Sequence, residues 1–344
     1  MKKTVALLLF LFAAFAAAGC TGDKYTASDY FPFTENTYCE YEGDGHVLAN
    51  IQTYSGYVRG GRMQRRNTVV EDYPAQMEIF EYKNGTVTVI RADVSAYYPE
   101  DATYLPATMD IPILRDPIKL NSEWSSRDGL IFKITAVNKK ITVPYGTFNV
   151  IEVTSETPSY NYIEKNYYAP GIGLVETRYS TDDGPWIISR LKSVTEDTPI
   201  EIPTLVFYPD EDGVGAYSFE TSITIRTNSD VFKEVETLLK SRSPDGAFGP
   251  LLPVGSVNAV TVMRADNTGE SYAIIDLGPE VYGINDSEDS EGGWLYALGC
   301  TVGTVYGVGY VSVYVNGAPF NGEYVQLDPG EMILVAGLEE AYEE

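Results

Sequence analysis

Residue types suited to nucleophilic or metal chemistry are scarce here, while those suited to acid–base chemistry abound. The 344 residues include one histidine, His46, and three cysteines, Cys20, Cys39 and Cys300. A Ser-His-Asp triad would have to be built on His46, in the turn-like "EGDGHV", and no G-x-S-x-G elbow offers it a serine. The histidine and cysteines do not cluster at metal-ligand spacing. Carboxylates number 49. Two acidic runs, "YPDEDG" (208–213) and "NDSEDSE" (285–291), are rich in oxygen ligands for Ca²⁺, the second through Asp286, Glu288, Asp289 and Glu291. Neither has EF-hand spacing, so both read as solvated acidic loops. So many acids leave no basis for choosing the pair that glycoside hydrolysis requires. Arg59, Arg62, Arg65 and Arg66, in "YVRGGRMQRRN" (57–67), are the local basic exception. They are expected to face outward on two strands joined across Gly60-Gly61, with an anion or an acidic domain as the alternative partner. The glycine pair in "NYYAPGIGLVE" (166–176) suggests a ligand-cradling loop, but such a loop should open a helix. Strand-like residues flank it instead. Pro170 and Gly171 fit the central positions of a type II turn, with Tyr168, Ile172, Leu174 and Val175 turned toward a core.

The remaining reactive residue is Cys20. Lys2 and Lys3 precede an unbroken apolar run over 4–18, and Gly19-Cys20 follow. The run is too short to span a bilayer and ends in small residues, so it reads as an export signal. "AAGC" (17–20) is similar to the bacterial lipobox, with Ala17 in place of the usual leucine. That similarity implies diacylation of Cys20 and cleavage before it; two acyl chains anchor stably where one is marginal. Residues 1–19 are therefore expected to be a signal peptide and 20–28 a lipidated tether. The protein would sit at the outer face of the cytoplasmic membrane. Cys39 and Cys300 are expected to be free buried thiols in different domains. Without residues 1–19, the chain keeps 22 bases against 49 acids. Such a balance excludes nucleic acid as a partner and argues against charge-driven adhesion to an anionic membrane.

Charge also divides the chain. Residues 20–195 hold 17 bases and 23 acids, whereas 196–344 hold 5 and 26. The break falls in "SVTEDTPIEIPT" (193–204), short, polar and carrying two prolines. The expected organisation is a β-rich domain over 29–195, a linker over 196–203, a second domain over 204–335 and an acidic tail over 336–344. In the first domain, "AQMEIFEYKNGTVTVIRAD" (75–93) is a hairpin, because Asn84-Gly85 supplies the positive φ angles of a type I′ turn. Strands are also expected at 129–137, 140–146, 147–156, 162–169, 173–180 and 185–194. This pattern predicts an antiparallel sandwich or half-open barrel. In the second domain, "DVFKEVETLLKSRSPDG" (230–246) and "GGWLYALGCTVGTVY" (292–306) have helical spacing. The order β-α-β-β-α-β predicts an α+β unit with two helices on one sheet face.

Two resemblances follow from these stretches. "ITVPYGTFNVIEVT", "NYYAPGIGLVE", "ISRLKSV" and the opening "SDYFPFTENTYCEYEGDG" resemble a pattern of bacterial envelope lipoproteins, with Cys39 where a tryptophan is common. Those proteins imply a β-rich extracytoplasmic domain and no chemistry. Residues 204–320 are similar to the GerMN domain, named for the GerM sporulation and germination protein. The similarity rests on Phe207-Tyr208-Pro209-Asp210, Gly249-Pro250-Leu251-Leu252-Pro253, Ile275-Asp276-Leu277 and Val313-Tyr314-Val315-Asn316-Gly317. Asn316 replaces the family's common aspartate, and Trp294 follows Gly292-Gly293 where an acid often begins the helix. The resemblance implies assembly rather than catalysis. The expected function is thus a non-catalytic binding or assembly module, self-associating or meeting an envelope protein, without cofactor. A carboxylate hydrolase of wall polymers and a small-molecule sensor are the alternatives.

Overall fold

The computed structural model describes residues 25–69, 74–94, 96–157, 162–181, 184–210, 213, 215–264, 271–285 and 287–335. The expected signal peptide, Cys20, the first part of the tether, Asp286 and the acidic tail lie outside them. Among the described residues, no helix is long and apolar enough to cross a membrane.

Twelve strands form one antiparallel sheet. They are β1 (Tyr38–Asp44), β2 (Ile51–Arg59), β3 (Arg62–Thr68), β4 (Gln76–Lys83), β5 (Thr86–Asp93) and β6 (Ile111–Arg115). Next come β7 (Glu123–Ser125), β8 (Ile131–Val143), β9 (Gly146–Thr157), β10 (Tyr162–Ala169), β11 (Gly173–Thr181) and β12 (Ile187–Thr195). Their order is β6-β5-β4-β3-β2-β1-β12-β11-β10-β9-β8-β7, so β6 and β7 are the two edges. The sheet curls until these edges meet. No backbone ladder joins them; the Trp124 indole N–H donates to the Pro112 carbonyl at 2.6 Å. The result is a nearly closed barrel.

Its core gathers side chains from β3 to β10, including Val87, Leu114, Ile134 and Ile151, together with a short helix α1 (Ala27–Tyr30) and Phe31. A bulge between Ile79 and Phe80 splits the duties of β4. Phe80 joins that core, while Met77 and Ile79 pack under Tyr98 and Ala102. Gln64, fully buried, holds the covering segment by bonding the Tyr98 and Glu100 carbonyls and the Ala102 N–H.

The hairpin across Asn84-Gly85 forms as expected, with φ of 52° and 74°. The 170–172 bend is also a turn: Ile172 N–H donates to the Ala169 carbonyl at 3.2 Å, and Gly171 has φ 77°. Tyr168 and Val175 are buried, but Ile172 is exposed, because it falls on the turn rather than on a strand face. Arg59 faces outward as expected, with its side chain 51% exposed, but the other three arginines differ. Arg65 lies over Phe80, 4.6 Å from the ring centre, and pairs with Glu78 at 2.6 Å. Arg62 pairs with Glu81 at 2.9 Å, and Arg66 covers Tyr97. On a strand packed on both faces, every alternate position meets other protein, so these side chains cannot all face water.

Beyond Thr195 come β13 (Ile200–Pro209), β14 (Ala216–Ile225), α2 (Val231–Leu239), β15 (Val257–Met263) and β16 (Tyr272–Leu277). They are followed by α3 (Glu288–Tyr306), β17 (Tyr310–Val315), β18 (Ala318–Pro319) and β19 (Ile333–Leu334). β13 starts inside the segment expected as a linker, with Ile200 buried and paired to Ile225. The expected order lacks β14. Its "AYSFETSITI" buries only Ile223 and Ile225, too little apolar alternation to announce a strand. β13 and β14 pair only with each other, while β15 to β19 form a second sheet in which β16 and β17 run parallel. α3 packs against β13 and against β16, β17 and β19. Apolar residues all round it are therefore buried, from Trp294 and Leu295 to Val302 and Val305.

The two parts are joined by specific bonds. A bulge in β2 between Ser55 and Tyr57 leaves backbone groups outside the ladder. The 226–229 loop takes them: Asn228 N–H donates to the Gly56 carbonyl, Val58 N–H to Asn228 Oδ1, and Thr227 Oγ1 to the Ser55 carbonyl. Tyr57 and Tyr54 hydroxyls donate to the Ser229 and Thr198 carbonyls. Arg264 completes the junction. It meets Glu100 in two bonds of 2.8 and 3.0 Å, donates to the Tyr306 carbonyl and lies 4.1 Å from the Tyr98 ring centre.

Candidate functional site

A cleft lined by aromatic, acidic and backbone groups lies where β13 ends. Tyr208-Pro209-Asp210 form one wall, residues 248–251 the opposite one, and the first turns of α3 the end, enclosing about 480 Å³. Each piece is there for a local reason. Ser287 caps α3 by accepting from Ser290 N–H, so the acidic run expected to be a loop is the first turn of the helix. Glu288, Asp289 and Glu291 suit that position because carboxylates favour the positive end of a helix. Trp294 is buried, and its indole N–H donates to the Leu251 carbonyl at 2.7 Å, tying one wall to the helix. Phe248 stacks on Tyr208, at 5.5 Å, and lies tilted against Tyr217, at 5.4 Å.

Two glycines let the backbones approach. A Cβ on Gly213 would lie 2.3 Å from the Asp289 carbonyl oxygen, and one on Gly293 would lie 2.9 Å from Gly213 Cα. Asp210 accepts from Gly215 N–H at 3.0 Å, which shapes the rim rather than a metal cage. Burial raises the Tyr208 phenol, with Asp245 adding to the effect, so it stays neutral and donates to the Ser241 carbonyl. The cleft thus offers aromatic surface beside the carboxylates of Asp210 and Asp289. It suits a ligand with an apolar body and a cationic or hydrogen-donating group.

The other residues singled out in the sequence are dispersed. His46 is exposed and its Nδ1 accepts from Leu48 N–H at 3.2 Å, capping one turn. Cys39 lies half-buried in β1 and Cys300 is fully buried in α3; neither forms a disulfide, and burial pushes the Cys39 thiol up. Glu291 is not solvated. It is buried, and its Oε2 accepts from the Tyr324 and Val325 N–H groups at 2.8 and 2.6 Å. Among the described residues, no group of three or more His, Cys, Asp or Glu is placed to hold a metal.

Sequence reasoning missed two buried carboxylates, Glu152 and Glu176. Glu152 accepts from Lys139 Nζ and Thr135 Oγ1; Glu176 accepts from Arg178 and Arg190. Tyr167 lies between them in register, with Lys139 and Arg178 over its ring. Glu176 and Arg178, two apart on a strand and so on one face, were the available signal.

No protein-family model and no curated protein matches the chain. Among solved structures, an exported protein of Bacteroides fragilis with a YmcC-like fold is similar at 13% identity and TM-score 0.31, over 52% of this chain and all of that one. A lipoprotein of Parabacteroides distasonis is similar at 15% identity and TM-score 0.30, over 52% of this chain and all of that one. The tandem GerMN domains of the sporulation protein GerM of Bacillus subtilis follow at 16% identity and TM-score 0.27, over 40% of this chain and 45% of that one. At these scores, the likenesses assign no activity.

Proposed function

We propose that this is a lipoprotein anchored through Cys20 at the outer face of the cytoplasmic membrane. Its C-terminal part, a GerMN-like unit, is a non-catalytic binding or assembly module whose cleft takes a segment of an envelope protein or of a second copy. One observation carries this reading. Tyr208-Pro209-Asp210 and Gly249-Pro250-Leu251, far apart in sequence, converge on one concave surface with the start of α3. The hydrolase alternative needs a carboxyl poised to hold a proton. Glu152 is instead kept charged by its partners, and Glu176 is bonded to two guanidinium groups.

The test has two arms. Mass spectrometry of the mature N-terminus is expected to find a diacylated Cys20; an unmodified residue there ends the anchoring claim. A photocrosslinker at exposed Tyr217, whose ring lies 5.4 Å from that of Phe248 in the cleft wall, is expected to give a discrete adduct in cells. Asp289→Lys should remove that adduct while leaving the protein folded. A chain that stays uncrosslinked, or an adduct indifferent to Asp289→Lys, overturns the binding role.

A further inference from the structure

The described chain begins at one end of the barrel, where exposed apolar and basic side chains come together. The Tyr25 ring lies 5.9 Å from that of Tyr30. Ala27 N–H donates to Asp116 Oδ1 at 2.9 Å, and Gly171 N–H donates to the Asp29 carbonyl at 2.7 Å. Asp116 N–H in turn donates to the Gly85 carbonyl. These bonds gather the β4–β5 turn, the β10–β11 turn and the segment from β6 to β7 around the point where the chain enters. Three apolar side chains stand exposed there: Leu120 at 57%, Tyr25 at 37% and Ile172 at 37%. The exposed bases Lys83, Arg115 and Lys119 flank them, in a chain whose formal charge is −25. Nearby acids are engaged: Asp29 accepts from Thr26 N–H, Asp116 from Ala27 N–H, and Glu123 lies 3.9 Å from Lys133.

Building on the Cys20 anchor proposed above, we infer that this end of the barrel seats on the bilayer interface. Tyr25, Leu120 and Ile172 enter the boundary between headgroups and acyl chains, while Lys83, Arg115 and Lys119 meet anionic lipid headgroups. Reach is the first argument. Five residues lead from Cys20 to Tyr25, and five extended residues cover at most about 18 Å. β9, with 12 residues, spans about 40 Å. A tether that short cannot bring the far end of the barrel to the lipid. Chemistry is the second. Apolar tips ringed by long basic side chains suit an interface, where the tips are buried and the charges stay wet. The protein's overall acidity opposes adhesion in general, so contact is confined to the patch where these bases gather around the apolar tips.

The experiment uses the full-length lipidated protein in vesicles of phosphatidylethanolamine and phosphatidylglycerol with brominated acyl chains. Leu120→Trp reports the patch, Ile172→Trp is its second probe, and exposed Val254→Trp is the control. Flotation with the vesicles reports the anchor, and bromine quenching of the added tryptophan reports seating. All variants are expected to float, with quenching confined to the two patch probes. Lys83→Gln, Arg115→Gln and Lys119→Gln should each weaken seating on anionic vesicles by about fivefold. Floating protein with both patch probes unquenched, or a patch crosslinked to another protein instead of lipid, overturns the seating and leaves the anchor standing. Protein that does not float removes the anchor, and the seating falls with it.

Discussion

Glu152 is buried in β9 and still keeps its charge. Burial alone would raise its pKa, but hydrogen bonds from Lys139 and Thr135, with the charges of Lys139 and Lys165, outweigh that and hold it low. A carboxyl held low when folded adds stability that is complete above its unfolded pKa, about 4.3, and fades as pH falls through the lower folded value. Glu152→Gln should therefore cost roughly 1–2 kcal/mol at neutral pH, since Lys139 is half in water. It should also flatten the acid limb of stability below about pH 4. Urea titrations at a series of pH values check this, and parallel curves for the two proteins would refute it. None of this was legible in the sequence. Glu152 is one acid among 49, and only the fold distinguishes it by placing Lys139 and Lys165 on the adjacent strands β8 and β10.

Among the elements, the turns were the most legible, because their chemistry is local. Asn84-Gly85 and Pro170-Gly171 state their φ requirements without reference to the rest of the chain. β14 was illegible because it is mostly solvated, and α3 was read four residues short because its first turn is acidic enough to resemble a loop. The two glycines at the start of α3 give a paired prediction. Gly292 has open space where a Cβ would go, so Gly292→Ala should stabilise by roughly 0.5–1 kcal/mol through helix propensity. Gly293 faces the Gly213 backbone, so Gly293→Ala should destabilise by about 1–3 kcal/mol and loosen the cleft. Thermal melts of the two variants decide it; shifts of the same sign would mean that α3 does not approach Gly213 this closely.

For the whole molecule, the charge balance changes near residue 195, where β12 ends, but charge says nothing of how the barrel and the elements after it join. The 226–229 loop and Arg264 do the joining, and neither has a sequence pattern, because docking onto a bulge depends on backbone groups. Arg264 is 7% exposed in a two-bond pair with Glu100, so Arg264→Ala strands a half-buried carboxylate. A loss of about 2–3 kcal/mol is expected, tempered by the partial exposure of Glu100. Hydrogen exchange should quicken at 55–58 and 226–229 while β16 and β17 keep their protection. Unchanged exchange at both places would show that the junction does not depend on this residue. The clamp also fixes the orientation of the cleft relative to the barrel end from which the chain departs, so the partner proposed above would meet it in one pose.

The seam of the barrel has a consequence for life in a crowd. The lipid anchor proposed at Cys20 would confine copies to two dimensions, where open sheet edges would find one another and stack. Here one edge strand has three residues and the other five, Pro112 brings no N–H, and the Trp124 indole occupies its carbonyl. No thirteenth strand is invited. Copies gathered by that anchor would share a patch of membrane without fusing into a continuous sheet, and the assembly proposed above would run through surfaces other than the barrel's edges.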